Sequence, residues 1–244
     1  MKLLLTSSGI NNPTIRKALV DLLGKPIEDS NALIVPSGIY PFSVGAAMAY
    51  RAVCGTAPTP LAELGWKSLG LLELTALPAI DRSAWVPAVE QTDALLVWGG
   101  DPVFLAHWMN LSGLSDLLKS MQRPIVYVGV SAGAILTAPI FGETYHKPYQ
   151  GTGTRLTVED MMFPASEGEV VMNFVTAKGV GFTNFALIPH ANGKDRPDSS
   201  STGAPKWAAK LPVPVYAIDD QTAIKVIGDS VEVISEGEWD LFTA

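Results

Sequence analysis

"YVGVSAGAIL", residues 127–136, is the stretch on which the reading of this chain turns. Val126, Val128 and Val130 alternate with other residues in a strand-like run, which breaks at Ser131-Ala132-Gly133 into small, helix-compatible residues. Gly129-x-Ser131-x-Gly133 has the form of a nucleophile elbow, a serine on a tight turn between a strand and a helix. The two glycines remove side chains that would clash where strand and helix meet at a sharp angle. Such a turn exposes the hydroxyl at the carboxyl edge of a sheet and aims the Ala132 amide at the place where an oxyanion would form. Five-residue patterns recur by chance, and a structural serine at a tight turn is the plainer alternative. The strand before the turn and the helix after it favour the elbow.

The same alternation extends outward in both directions. "KLLLTSS" (2–8) precedes "NPTIRKALVDLLG", with Asn12 as N-cap, Pro13 at the first helical position and Gly24 as the stop. "NALIVPSG" (31–38) leads to "PFSVGAAMAYRAVCG", and "ALLVWGG" (94–100) to "DPVFLAHWMNLSGLSDLLKS". Continuous apolar strands, each followed by a helix, predict an α/β fold with a mostly parallel central sheet and helices on both faces. Ligands of such sheets bind beyond the carboxyl ends of the strands. The stretch 138–160 reads as an irregular excursion, and "KDRPDSSSTGAPK" (194–206) as the most loop-like, mobile segment. "VPVYAIDDQTAIKVIGDSVEVIS" closes the chain with short, partly antiparallel strands. No internal repeat and no convincing boundary divides residues 1–244, so one α/β domain is expected.

Composition narrows the function. Of 244 residues 48% are hydrophobic, enough for a sizeable core without disulfides or metals. The net charge of −7, with no stripe of Lys or Arg, argues against nucleic acid as a partner. Cys54, the only cysteine, excludes an intramolecular disulfide and any multi-cysteine metal site, and in "AMAYRAVCG" it reads as a buried small hydrophobe. No apolar run approaches the roughly 20 residues of a membrane helix, and "MKLLLTSSG" is too short for a signal-peptide core. A cytoplasmic protein that does not engage membranes is expected; a homo-oligomer is compatible with the sequence.

A serine nucleophile needs a base, and the chain offers His107, His146 and His190. His107 falls on a helix face and His146 in the irregular stretch, where it could line a site without acting as base. His190 ends the strand-like "NFALIP" and should emerge at the same sheet edge as Ser131. Asp219 and Asp220 follow "VPVYAI", another strand end, and either could orient the base or simply belong to a turn. The order Ser…His…Asp differs from the Ser…Asp/Glu…His of α/β-hydrolases, and no histidine follows residue 190 to restore it. Gly99 and Gly100 stand before a helix, where backbone amides lack partners and could supply a second oxyanion donor.

"VYVGVSAGAIL", "LVWGGDPVFL", "ALIPHANG" and "AIDDQTAIKV" together resemble peptidase family S51, which includes aspartyl dipeptidase (peptidase E) and cyanophycinase. The resemblance spans roughly residues 1 to 230 and implies a fold similar to class I glutamine amidotransferases, with serine in place of their cysteine. It implies Ser131 as nucleophile, His190 as base, Asp220 as orienting acid and the Gly100 and Ala132 amides as oxyanion hole, without cofactor or metal. The chain departs from the family in three places. Trp98 replaces the first of three glycines, Asp220 stands where the acid is usually Glu, and no arginine matches the one that pairs with an aspartyl substrate. Gly99, Asp101, Lys194 and Arg196 are the candidates to contact substrate. The expected function is a serine peptidase acting on short peptides near an end. A hydrolase of another amide or ester, or a non-catalytic small-molecule binder on this scaffold, are the alternatives.

Overall fold

The computed structural model describes residues 1–146, 156–165, 168–194 and 196–243. Along the chain run β1 (Lys2–Thr6), α1 (Pro13–Leu23), β2 (Asn31–Val35), α2 (Gly45–Val53), β3 (Ser68–Leu71), α3 (Arg82–Gln91) and β4 (Ala94–Val97). There follow α4 (Pro102–Leu111), α5 (Leu114–Ser120), β5 (Val126–Val130), α6 (Ala132–Ile135), β6 (Ile140–Tyr145), β7 (Thr157–Ala165) and β8 (Gly168–Lys178). The chain closes with β9 (Ala186–Pro189), α7 (Ala204–Ala208), β10 (Val215–Ile218), β11 (Thr222–Ile227), β12 (Ser230–Ser235) and β13 (Trp239–Phe242).

Seven strands form the central sheet in the order β12-β11-β1-β5-β4-β2-β3. Five of them are parallel, and β11 and β12 add antiparallel strands beside β1. β4 and β5 are buried along their whole length, which explains why they read as unbroken apolar runs rather than alternating ones. One face packs Leu4, Ile34, Leu96 and Val128 against Ile15, Leu19 and Leu22 of α1. The opposite face sends Leu3, Leu5, Leu95 and Tyr127 into a larger core that also receives Leu105, Phe141 and Phe174. α1 begins as read: the Asn12 side chain accepts from Ile15 N at 2.8 Å, and Gly24, at φ 72°, ends the helix.

The structure corrects several readings. Gly113, at φ 75°, divides the long apolar segment after β4 into α4 and α5. The excursion at 138–160 contains two strands, β6 and the start of β7. With β8 they form an antiparallel sheet of order β6-β8-β7. Its polar and exposed positions, such as Thr157 and Glu159, hid the strand pattern, and residues 147–155 lie outside the described residues. Of the segment 194–206, Asp195 lies outside the described residues and residues 198–204 are anchored. Asp198 and Ser199 are buried, the Ser199 hydroxyl donates to His190 O at 2.9 Å, and α7 begins at Ala204. Cys54 is exposed, because it lies one turn beyond the exposed Tyr50 on the outer side of α2, whose buried residues are Gly45, Ala49 and Ala52. A third small sheet, β13-β10-β9, carries β9 and β10 side by side and parallel. Among the described residues no helix is long and apolar enough to cross a membrane.

Candidate active site

β5 ends where α6, a single turn, begins, and Ser131 lies between them at φ 49° and ψ −113°. A Cβ on Gly129 would lie 2.4 Å from Gly133 O, and one on Gly133 would lie 2.1 Å from Val97 O. The turn therefore closes only with glycine at both places. It is fastened from three sides. Ser131 N donates to Thr6 O at 2.9 Å, Ser131 O accepts from Ile135 N at 2.9 Å, and the buried Tyr127 hydroxyl donates to Gly133 O at 2.7 Å. Among the described residues only Ser131, His190 and Asn192 depart from glycine at positive φ. Such backbone is costly for a side-chain-bearing residue and persists only where the surroundings over-determine it.

His190 leaves β9 at the same edge. Its Nε2 lies 3.0 Å from Ser131 Oγ, and its Nδ1 lies 2.7 Å from Asp220 Oδ1. The Asp220 carboxyl is held below its ordinary value chiefly by the hydrogen bond from His190, with Ser8 and the charge of Arg196 adding to the effect against partial burial. An ionised carboxylate only accepts, so Nδ1 carries the ring proton and Nε2 accepts from the Ser131 hydroxyl. Asp219 is occupied elsewhere. Its Oδ1 accepts from Gln221 N at 3.0 Å and from the Thr222 hydroxyl at 2.6 Å, and its Oδ2 accepts from Glu238 N at 2.7 Å. Adjacent residues at a strand end point apart, and here one carboxylate ties the turn while the other meets the imidazole.

Ser7 is a buried brace beside the site that the sequence reading missed. It is fully buried, its hydroxyl donates to Ile218 O at 2.8 Å, and His190 N donates to its Oγ at 3.0 Å. One hydroxyl at the end of β1 thus joins the ends of β9 and β10. The signal available was the polar run Thr6-Ser7-Ser8 directly after an apolar strand. Its meaning depends on β1 lying beside β5, which no local pattern reveals.

Beside the elbow, the turn after β4 comes close to Ser131. A Cβ on Gly99 would lie 3.2 Å from the Ser131 Cβ. Gly100, at φ 130°, packs so tightly that its Cβ would lie 2.1 Å from Gly38 O. Gly100 and Ser131 line one cavity of about 990 Å³ together with Glu143, His146 and Arg196. Asp101 and Asp198 also line it. Asp101 is the N-cap of α4, with both carboxylate oxygens engaged within the fold. Arg196 is exposed at the cavity, whereas Lys194 is exposed and does not line it. His107 sits on α4 with its ring edge-on to Trp108, far along the helix from the turn that bears Gly100.

These are a hydroxyl, an imidazole and a carboxylate in hydrogen-bonded series, with the serine lining a cavity large enough for a small peptide. Comparison with known proteins adds an independent view. The model of peptidase family S51 matches residues 3–234. No curated protein matches the chain. Among solved structures, a protein provisionally described as peptidase E from Listeria monocytogenes EGD-e is similar at a TM-score of 0.61 and 16% identity, covering 97% of this chain and 98% of that one. A peptidase from an acI-B1 Actinobacterium is similar at a TM-score of 0.58 and 19% identity, covering 100% of this chain and 94% of that one. At these identities the two structures speak for the fold.

The cavity wall has a measurable electrostatic consequence. Burial pushes the Glu143 carboxyl from 4.5 up to about 8, the charges of Asp198 and Asp101 add to the rise, and Arg196 and the Thr144 amide oppose it. Between those two values the native state keeps a proton that the unfolded chain has released, so stability falls as pH rises. Glu143→Gln removes this term. Urea unfolding of the variant and wild type should give midpoints that move apart in the variant's favour from about pH 5 to about pH 8. A gap that does not change with pH would show that Glu143 titrates like an exposed glutamate.

Proposed function

The chain belongs to peptidase family S51, and from the geometry of its site we propose that it is a serine peptidase hydrolysing short peptides through an acyl-enzyme. The observation that carries this reading is the unbroken series from Ser131 Oγ, which lines the cavity, through His190 to Asp220 behind it. His190 Nε2 takes the hydroxyl proton as Ser131 attacks the scissile carbonyl, and returns it to the leaving amine. Asp220 holds the imidazole in the tautomer that leaves Nε2 free to accept and stabilises the imidazolium that forms. The amides of Gly100 and Ala132 receive the negative charge on the tetrahedral oxygen. Water then attacks the acyl-Ser131 ester by the same proton path in reverse. The size of the cavity suits a di- or tripeptide better than a folded chain.

The test is a panel of dipeptides, tripeptides and esters with wild type and Ser131→Ala side by side. Turnover of short peptides should be lost in the variant. A panel in which only esters react, or in which Ser131→Ala keeps full activity, would reject the peptidase reading. The same panel addresses selectivity. Among the described residues that line the cavity the one guanidinium is Arg196, whose charge already acts on Asp220 and Glu143. A charge-assisted pair to a substrate carboxylate is worth about 1.5 to 3 kcal/mol, so without a free partner Asp-Leu should hold no tenfold advantage over Ala-Leu. A large advantage would give Arg196 or Lys194 that role.

The two aspartates separate in the same assay. Asp220→Asn should leave the fold intact and lower kcat by about 10⁴, the scale of neutralising the orienting acid of a serine triad. Asp219→Asn, which weakens turn contacts to Gln221, Thr222 and Glu238 and leaves the partner of the imidazole in place, should cost far less activity. The reverse ranking in two folded variants would move the acid to Asp219.

A further inference from the structure

Tyr145 ends β6, in a different sheet from β4 and β5, yet its hydroxyl donates to Asp101 Oδ2 at 2.8 Å. Asp101 follows Gly100 directly and is only 3% exposed. Its Oδ1 accepts from Phe104 N at 2.6 Å, and its own amide donates to Gly38 O at 2.8 Å. The Gly99-Gly100 turn is therefore gripped on one side by the backbone of Gly38 and on the other by a buried carboxylate. Capping α4 requires one oxygen of that carboxylate. The second is met by a hydroxyl that reaches across from another sheet.

We infer that Tyr145 is a positioning residue for the proposed reaction: acting through Asp101, it holds the Gly100 amide where negative charge develops on the substrate oxygen. The inference rests on the serine peptidase reading. Without Tyr145 the buried carboxylate keeps only the Phe104 and Val103 amides, and the oxygen that loses its donor is drawn toward a proton or toward the cavity, which shifts the peptide on which it is mounted. Burial already presses the Asp101 carboxyl upward, and the hydrogen bonds from the Phe104 amide, the Tyr145 hydroxyl and the Val103 amide oppose that pressure. Gly100 has little slack on the side of Gly38, where even a Cβ would lie 2.1 Å from Gly38 O. An oxyanion donor contributes where charge appears and little to ground-state binding, so a small displacement is felt in the transition state.

Tyr145→Phe removes the hydroxyl and keeps the ring. It should lower kcat about tenfold to a hundredfold while KM changes less than about threefold. Affinity for a peptide boronate should weaken by the same factor as kcat/KM, while the urea midpoint stays near that of wild type. Asp101→Asn offers a second route. Its side chain can still cap Phe104 N with oxygen and donate to Tyr145 Oη through nitrogen, so it should lose less turnover than Asp101→Ala. Wild-type kcat and boronate affinity in folded Tyr145→Phe, or a loss confined to KM, would overturn the inference while leaving the peptidase reading in place. If Asp101→Asn were as impaired as Asp101→Ala, the Tyr145 link would also be ruled out. Activity that survives Ser131→Ala would instead reject the peptidase reading and this inference with it.

Discussion

The close approach of backbone to backbone at the ends of β4 and β5 is the constraint on which the rest of the molecule depends. Gly133 presses against Val97 O, and Gly100 against Gly38 O, at separations that no Cβ could enter. These two contacts set the strand-end turns side by side and bring Gly99 against Ser131. A protein interior packed to crystal-like density transmits such a constraint instead of absorbing it. The positive φ of Ser131 follows from it: the serine has no room to relax, because its amide, its carbonyl and the carbonyl of Gly133 are each held by a hydrogen bond.

Charge is distributed around that frame with equal economy of parts. Two consecutive aspartates close β10, and each is committed to a different partner. Asp220, half exposed, keeps its charge because an imidazole N–H and a serine lie against it. Asp101 and Glu143, enclosed in the cavity wall, are pushed toward the neutral form by desolvation. The carboxylate that meets the imidazole therefore ionises easily, while Asp101 and Glu143 resist ionisation. Groups whose environments drive their protonation apart in this way mark functional sites more often than structural ones.

Legibility in the sequence followed burial. β1, β2, β4 and β5 were plain because strands covered on both faces must be apolar throughout, and the elbow was plain because glycine is obligatory at Gly129 and Gly133. The residues alone left Asp219 and Asp220 open, and the family resemblance singled out Asp220, the one whose carboxylate meets the imidazole. β6, β7 and β8 were obscure because one face of that sheet is partly exposed and its pairing joins residues far apart in sequence, such as Tyr145 and Asn173. Ser7 and Tyr145 were invisible for a related reason. Each acts across an interface between sheets, and a lone hydroxyl carries no periodic signal.

The hydroxyl of Ser7 has a topological consequence. It ties the first strand to the bases of two strands that the chain completes only some two hundred residues later. β1 in turn lies between β5, which carries the serine, and β11, which follows the aspartates. The groups of the site thus enter in the order brace, hydroxyl, imidazole and carboxylate, and they meet only when the sheet has closed around its oldest strand. No contiguous fragment that omits either the first few residues or the stretch after Ile218 contains the whole constellation. The site is a property of ring closure in the chain's path, not of any segment within it.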